Sequence, residues 1–420
     1  MKRECGGKSS MISGFDQTSS SRAHPVSRIA FTKKHVYSFQ NNALCGITLC
    51  GWATLLWKYY DCFSFEYLHR VAFITVMAVV NSLLSLVEYV SYEGSIQETI
   101  LPDDPIIIIG HPRSGTTLIH NLLSLDAKNF FYCNTFCVGF PSSFLWFEDF
   151  GKKYLNFLIS GTRPMDNMPL HFDLPQEDEL ATNVLSGGHS YYMSLWIMRN
   201  EEKIRKLFDF NPDLGAVKDD EAVWTKSFVY FMKKVVLKEK LSMRRNGMNE
   251  MTRRLVIKSP IHTGRINILR KIFPKAKFVY IHRNPIEVFQ SAVHMADTTY
   301  WFCYFSSPSD DQILNMIMWQ FKYMFEQYNR AVLMPMQATG QRVLTDDVVE
   351  VAYKDFLADP MGSLKMIYKY IGVAFDDGVF AEELKALREY KVNTFNSLSD
   401  HIKAYVKEQW ISYYVALNYE

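Results

Sequence analysis

Apolar runs along the chain are of two kinds. Near the N-terminus they are long: Leu44 to Trp57, then Val71 to Val90, the second broken only by Asn81, Ser82, Ser85 and Glu88. A bilayer takes about 20 apolar residues to cross, so the second run is long enough and the first is marginal. Together they predict an apolar helix pair over residues 44–98. Two arrangements fit it: a membrane hairpin, or a pair lying on a membrane or on the protein itself. From residue 99 to 420 the runs become short. Pro105-Ile-Ile-Ile-Ile109 suits a strand buried on both faces, as do Leu255-Val-Ile257 and Phe278-Val-Tyr-Ile281. Helical spacing covers Thr116 to Leu125 and Gly264 to Phe273, and a further helix follows Asn284-Pro285 with the proline in its first turn. Strands alternating with helices imply an α/β domain with a mainly parallel sheet flanked by helices.

Residues 1–43 have no apolar period and carry seven Lys or Arg against two acids, the composition of a disordered basic tail. If the helix pair spans, this tail favours a cytoplasmic N-terminus. The sequence shows no cleavable secretory signal and no N-x-[ST] sequon, which favours a catalytic domain facing the cytoplasm over one in the Golgi lumen. Over the whole chain 46 basic residues balance 44 acidic ones, which argues against nucleic acid as a partner. Any anion must therefore be held by a local pocket. Seven scattered cysteines do not make a disulfide framework. Cys133 and Cys137 lack a second ligand pair at zinc-site spacing and read as core, so no metal is expected. Nothing in the pattern specifies an oligomeric state.

The chemistry concentrates in two strand–turn–helix segments. The first is Gly110-His-Pro-Arg-Ser-Gly-Thr-Thr117, between the Ile106–Ile109 run and a helix. Its glycines have the G-x-x-x-x-G spacing of a P-loop, whose backbone N–H groups and helix start converge on an anion. A nucleotide hydrolase would carry Lys after the second glycine, where this chain has Thr116. The cation has moved inside the loop to Arg113, whose guanidinium can hold two anionic oxygens at once. Thr116 and Thr117 add hydroxyl donors. In the second segment, Arg283 ends a strand, where α/β sheets place ligand contacts, and Ser291 lies eight residues on in the next helix. Both could grip a second phosphate.

On these two motifs the chain resembles the sulfotransferases that use 3′-phosphoadenosine 5′-phosphosulfate (PAPS). The resemblance covers about residues 100 to 375 and includes His120-Asn-Leu-Leu-Ser-Leu-Asp126, Leu174-Pro-Gln-Glu-Asp-Glu179 and Tyr353-Lys-Asp-Phe-Leu-Ala-Asp-Pro360. It looks most like a branch with an N-terminal apolar helix pair. It implies a P-loop-like fold, PAPS as co-substrate, and transfer of a sulfuryl group to a hydroxyl. It also implies a 5′-phosphosulfate site at Gly110, Pro112, Arg113, Ser114, Gly115, Thr116 and Thr117, and a 3′-phosphate site at Arg283 and Ser291. Lys258 matches a cation beside the transferring group. The general base stays open. Soluble members of the family carry Lys-Ser-His where this chain has Lys258-Ser259-Pro260, and His262 comes two residues later. Other branches use a glutamate, which points to Glu177, with His171 and Glu179 behind these two. Burial beside an acceptor pocket would raise such a carboxyl's pKa.

The aromatic runs Phe136–Phe150 and Tyr300-Trp-Phe-Cys-Tyr-Phe305 are either core or the wall of an acceptor cavity. With a membrane-associated helix pair, a sterol, lipid or phenol-like alcohol is the expected acceptor. A P-loop nucleotide-dependent phosphotransferase, and a non-catalytic membrane-attached protein of the same fold, are the alternatives.

Overall fold

The computed structural model describes residues 29–247, 252–333, 343–389, 395 and 397–420. Five parallel strands form one sheet: β1 (Ile106–Ile109), β2 (Phe130–Tyr132), β3 (Arg254–Lys258), β4 (Lys277–His282) and β5 (Val348–Ala352), in the order β2-β3-β1-β4-β5. The isoleucine run is central, and its alternation explains why every member is apolar. Ile106 and Ile108 enter one core layer with Ile119, Leu123 and Tyr368, while Ile107 and Ile109 enter the other with Ile257 and Phe278.

Among the described residues ten α-helices precede β5. They are α1 (Leu49–Lys58), α2 (Leu68–Glu98), α3 (Thr116–Leu125), α4 (Thr135–Gly139) and α5 (Phe144–Tyr154), then α6 (Asp178–Leu185), α7 (Lys218–Arg245), α8 (Ile266–Ile272), α9 (Pro285–Thr298) and α10 (Asp310–Val332). The strands and helices expected from the apolar pattern are all present, α8 somewhat shorter than its run. Two strands escaped that pattern. β2 has three residues, and β5 is a half-buried edge with Glu350 in its middle.

The apolar helix pair packs on the domain, sharing one core with it through Leu44, Trp52, Leu55, Ile74 and Ala78. Of the tail expected over residues 1–43, residues 1–28 lie outside the described residues, as does Cys5. Ile29, Phe31 and Val36 pack against the core, so the described part of this segment is ordered. Among the described residues one helix, α2, is long and apolar enough to cross a membrane.

Candidate active site

The first motif folds into a tight turn between β1 and α3. Gly110 has φ +143° and Gly115 φ +110°, both in the region that favours glycine. Space also demands glycine there. A Cβ on Gly110 would stand 2.4 Å from the Ile281 carbonyl oxygen, and one on Gly115 2.6 Å from the Tyr353 ring. Arg113 adopts φ +77°, uncommon for a side-chain-bearing residue. Two of the expected anion donors are engaged inside the protein. The Gly110 N–H donates to Thr263 Oγ1 at 2.8 Å, and the buried Ser114 hydroxyl donates to the His111 carbonyl at 2.8 Å. What remains turned to the cavity is the start of α3, at Thr116 and Thr117, with Pro112 and Arg113 beside it. The first N–H groups of a helix have no intrahelical acceptor, so this end suits an anion. Burial holds the neighbouring His111 imidazole neutral, pulled down to about 3 despite its bond to the Pro112 carbonyl.

The second motif meets the first. Arg113 donates through Nε to Ser291 Oγ at 3.0 Å, so Ser291 lies with the loop arginine. Arg283 pairs with Glu287 at 2.7 Å and stacks on the Tyr353 ring, 4.6 Å from its centroid. That ring lies against Gly115, which puts Arg283 on the loop's side of the sheet. The Arg283 backbone is clasped by Tyr413, whose hydroxyl accepts from its N–H and donates to its carbonyl. Sequence spacing alone suggests Arg283 and Ser291 acting as one grip. The geometry adds a link between the motifs, since Ser291 also accepts from Arg113.

The acidic run after Pro175 is divided by its position at the start of α6. Ser259, at the end of β3, donates to Asp178 Oδ1 at 3.1 Å and accepts the Glu179 N–H at 3.0 Å. This splice sets Glu177 beside Lys258, with Nζ to Oε1 2.8 Å. The other oxygen accepts the Tyr192 hydroxyl at 2.5 Å. Both Glu177 and Tyr192 line the cavity. Burial pushes the Glu177 carboxyl up, but Lys258 and the Tyr192 hydrogen bond outweigh it and hold the carboxyl below its usual range. The rise expected from burial is thus reversed by a partner that the sequence does not reveal. Lys258 Nζ also reaches Thr117 Oγ1 at 3.4 Å, so it stands between the carboxylate and the loop.

His262 goes elsewhere. Its ring is fully buried between Trp224 and Phe228, and Nε2 bonds Asp178 Oδ2 at 2.7 Å. It is not among the residues that line the cavity, whereas Glu177 is. Glu179 is equally sealed, held by Arg265, Ser190 and Trp224. His171 is exposed on the surface. Among the described residues, Asp178, Glu179 and His262 form a group with metal-ligand proximity, but each already bonds a neighbouring side chain.

A cavity of about 280 Å³ opens beside Glu177, Lys258's neighbour Pro260 and the loop. Apolar side chains dominate its wall, among them Val138, Phe140, Leu158, Phe172, Trp196 and Met295. The aromatic runs divide: Phe140 and Tyr300 reach the cavity, whereas Phe136, Phe144, Trp301 and Phe302 are core. Sequence reasoning missed several members of the site. Asp166 accepts from Arg113 at 2.9 Å and pairs with Arg163, which lines the cavity; both lie in a loop without a periodic signal. Tyr192 and Thr263 were equally silent, whereas Tyr353 stood inside a segment that resembled the family.

The sequence profile of the sulfotransferase family matches residues 105–377. The chain is 28% identical over 374 residues to the omega-hydroxy-beta-dihydromenaquinone-9 sulfotransferase Stf3 of Mycobacterium tuberculosis (strain CDC 1551 / Oshkosh), covering 87% of this chain and 88% of that one. The Stf3 of Mycobacterium bovis gives the same figures. Among solved structures, sulfotransferase STF1 of Mycobacterium tuberculosis H37Rv superposes with a TM-score of 0.54 at 18% identity, over 89% of this chain and 94% of that one. STF9 of Mycobacterium avium superposes with a TM-score of 0.57 at 17% identity, over 88% and 91%. At such identities the likeness is one of fold.

Proposed function

Since the chain belongs to the sulfotransferase family and is a sulfotransferase, we propose that it moves the sulfuryl group of PAPS to a hydroxyl of an apolar, lipid-like acceptor at a membrane. The observation that carries this reading is the convergence of Arg113, the start of α3 and the Glu177–Lys258 pair on one mainly apolar cavity. An apolar cavity with a few convergent polar groups suits an acceptor that is greasy except at its reacting end. The lipid-like acceptor class is supported by the menaquinone derivative named for the Mycobacterium relatives, and the membrane by the apolar α2.

In this reading Pro112, Arg113, Gly115, Thr116 and Thr117 hold the 5′ end of the donor, and Arg283 holds its 3′-phosphate with Ser291 between the two. The acceptor oxygen attacks sulfur, and the bond from sulfur to the bridging phosphate oxygen breaks. Glu177, kept as a carboxylate, takes the hydroxyl proton. Lys258 and Arg113 meet the negative charge that gathers on the departing phosphate. A short swing carries Lys258 from Glu177 towards the anion beside Thr117, which frees a carboxylate oxygen for the proton. Gly110 and Ser114 support the turn through their internal bonds.

Transfer of labelled sulfate from PAPS to a panel of long-chain, prenyl, sterol and phenolic alcohols tests this. Incorporation into the apolar alcohols is expected, together with binding of adenosine 3′,5′-bisphosphate in preference to ATP. Arg283→Ala should weaken bisphosphate binding by about 2 kcal/mol, as loss of a charged hydrogen-bond partner does. ATP binding with magnesium-dependent phosphoryl transfer would instead support a phosphotransferase.

A further inference from the structure

The polarity of α2 is turned inside out. Between Leu68 and Val90 the only Lys, Arg, Asp or Glu residues are Arg70 and Glu88, and both are buried against the domain. Arg70 donates to the carbonyls of His35, Trp301 and Tyr304. Asn81, also buried, donates to the Ile47 carbonyl at 3.2 Å and to that of Cys45. Glu88 accepts from the Leu145 N–H at 2.8 Å and pairs with the wholly buried Lys234 of α7. The outward side carries Val76, Val79, Leu83, Leu86, Val87 and Val90 instead. At about 1.5 Å per residue this uncharged face runs roughly 21 Å from Val76 to Val90.

Neighbouring helices extend the same face. Trp146, Phe150 and Tyr154 make an outward stripe on α5, and Trp146 Nε1 donates to the Leu84 carbonyl, laying α5 along α2. Trp57 on α1 is 86% exposed. Water-facing helices put charge outward and apolar residues inward, and an exposed apolar patch this long marks an interaction surface. Lys58 and Lys153 stand exposed beside Trp57 and Tyr154, the pairing of aromatic rings and cations found at a bilayer's edge. Lys33 and Lys34 pair with Glu66 and Asp297, and the five Lys or Arg against two acids in residues 1–28 add charge complementary to anionic lipid.

We infer that the outer face of α1, α2 and α5 docks on an anionic bilayer, with α2 lying along one leaflet rather than crossing it. This deepens the membrane reading given above and rests on it. A crossing helix would have to surrender the Arg70, Asn81 and Glu88 bonds to lipid, where polar groups have no partners. The docked face adjoins the cavity. Exposed Phe157 precedes Leu158 and Ile159, which line it, and Asn41, also lining it, donates its N–H to the Leu158 carbonyl at 2.8 Å.

The test is flotation of the full chain with phosphatidylcholine vesicles, with and without phosphatidylserine. At least tenfold stronger binding to the anionic vesicles is expected. The triple variant V79D, L83D and V87D should lose that binding at least tenfold while keeping its melting temperature and its affinity for adenosine 3′,5′-bisphosphate. Bisphosphate affinity reads the sulfotransferase site independently, so the docking inference can fail while that site stands. A wild-type chain that does not float, or a triple variant that floats equally well, overturns the inference. Depth is read with a fluorophore on V76C, L83C or V90C, each in a C5S, C50S chain, quenched by brominated lipids. Equal shallow depths at all three support docking, whereas a mid-bilayer position for L83C alone overturns it in favour of a crossing helix. A dimer in solution that the aspartates dissociate, with flotation unchanged, overturns it in favour of a second copy of the chain.

Discussion

Glu177 and Glu179 are two residues apart, and their surroundings have opposite characters. Glu177 faces the cavity with one cation and one hydroxyl upon it. Glu179 is closed off, with Arg265 on one oxygen and Trp224 and Ser190 bonded to the same carboxylate. Arg265 is itself sandwiched against Trp224 and Phe210 and donates to the Leu207 and Phe208 carbonyls. An ion pair with every donor matched inside the core fixes the start of α6. The Glu177 pair differs in that its lysine has a second partner at hand, Thr117 Oγ1 at 3.4 Å. In the proposed mechanism the same residue type thus serves framework and chemistry, sorted by which side of the α6 start it occupies.

That contrast can be broken from either side. The largest effect is expected at the closed pair. Arg265→Ala leaves Glu179 charged and unpaired in the core, which should cost about 3–5 kcal/mol of stability in denaturant unfolding. If the melting transition hardly moves, the pair is not the framework described. At the open pair, Glu177→Gln should lower kcat on the order of 100-fold with little change in stability, because the amide cannot take a proton. Equal losses of fold in both variants would erase the distinction.

A subtler change separates Lys258 from Glu177. With the cation gone, burial is left to act on the carboxyl, so its pKa rises. Lys258→Gln should therefore move the acid limb of the kcat/KM profile upward by about one pH unit. The sign follows from the folded state. Lys258 keeps Glu177 ionised to lower pH than an ordinary glutamate, so the wild-type limb should fall below the ordinary value of about 4.3. A limb unmoved by Lys258→Gln would assign it to another group.

This sorting was beyond the sequence. Three consecutive acids after Pro175 announce a helix start, and a Lys-Ser pair announces a strand end. Which acid meets the lysine depends on Ser259, some 80 residues away, splicing the two segments together. His262 shows the same limit, since a histidine beside Lys258 in sequence is turned inward by Asp178. What could be read was the part fixed by short-range physics. Four β-branched isoleucines in a row suit a strand buried on both faces, and Gly110 and Gly115 mark the turn by spacing alone. β2 and β5 could not be read so easily, because an edge or three-residue strand needs few apolar positions. The polarity of α2 was visible as Glu88 and Asn81 interrupting an apolar run, but not the fact that these interruptions point inward.

The left-handed backbone at Arg113 has a consequence of its own. A side chain held there costs on the order of 1–3 kcal/mol, which a residue without Cβ would not incur. Arg113→Gly should therefore melt above Arg113→Ala, although both lack the guanidinium and should bind bisphosphate equally poorly. Durability and turnover pull against each other at this one position. A screen for heat resistance alone would drift toward a sturdier, idle protein.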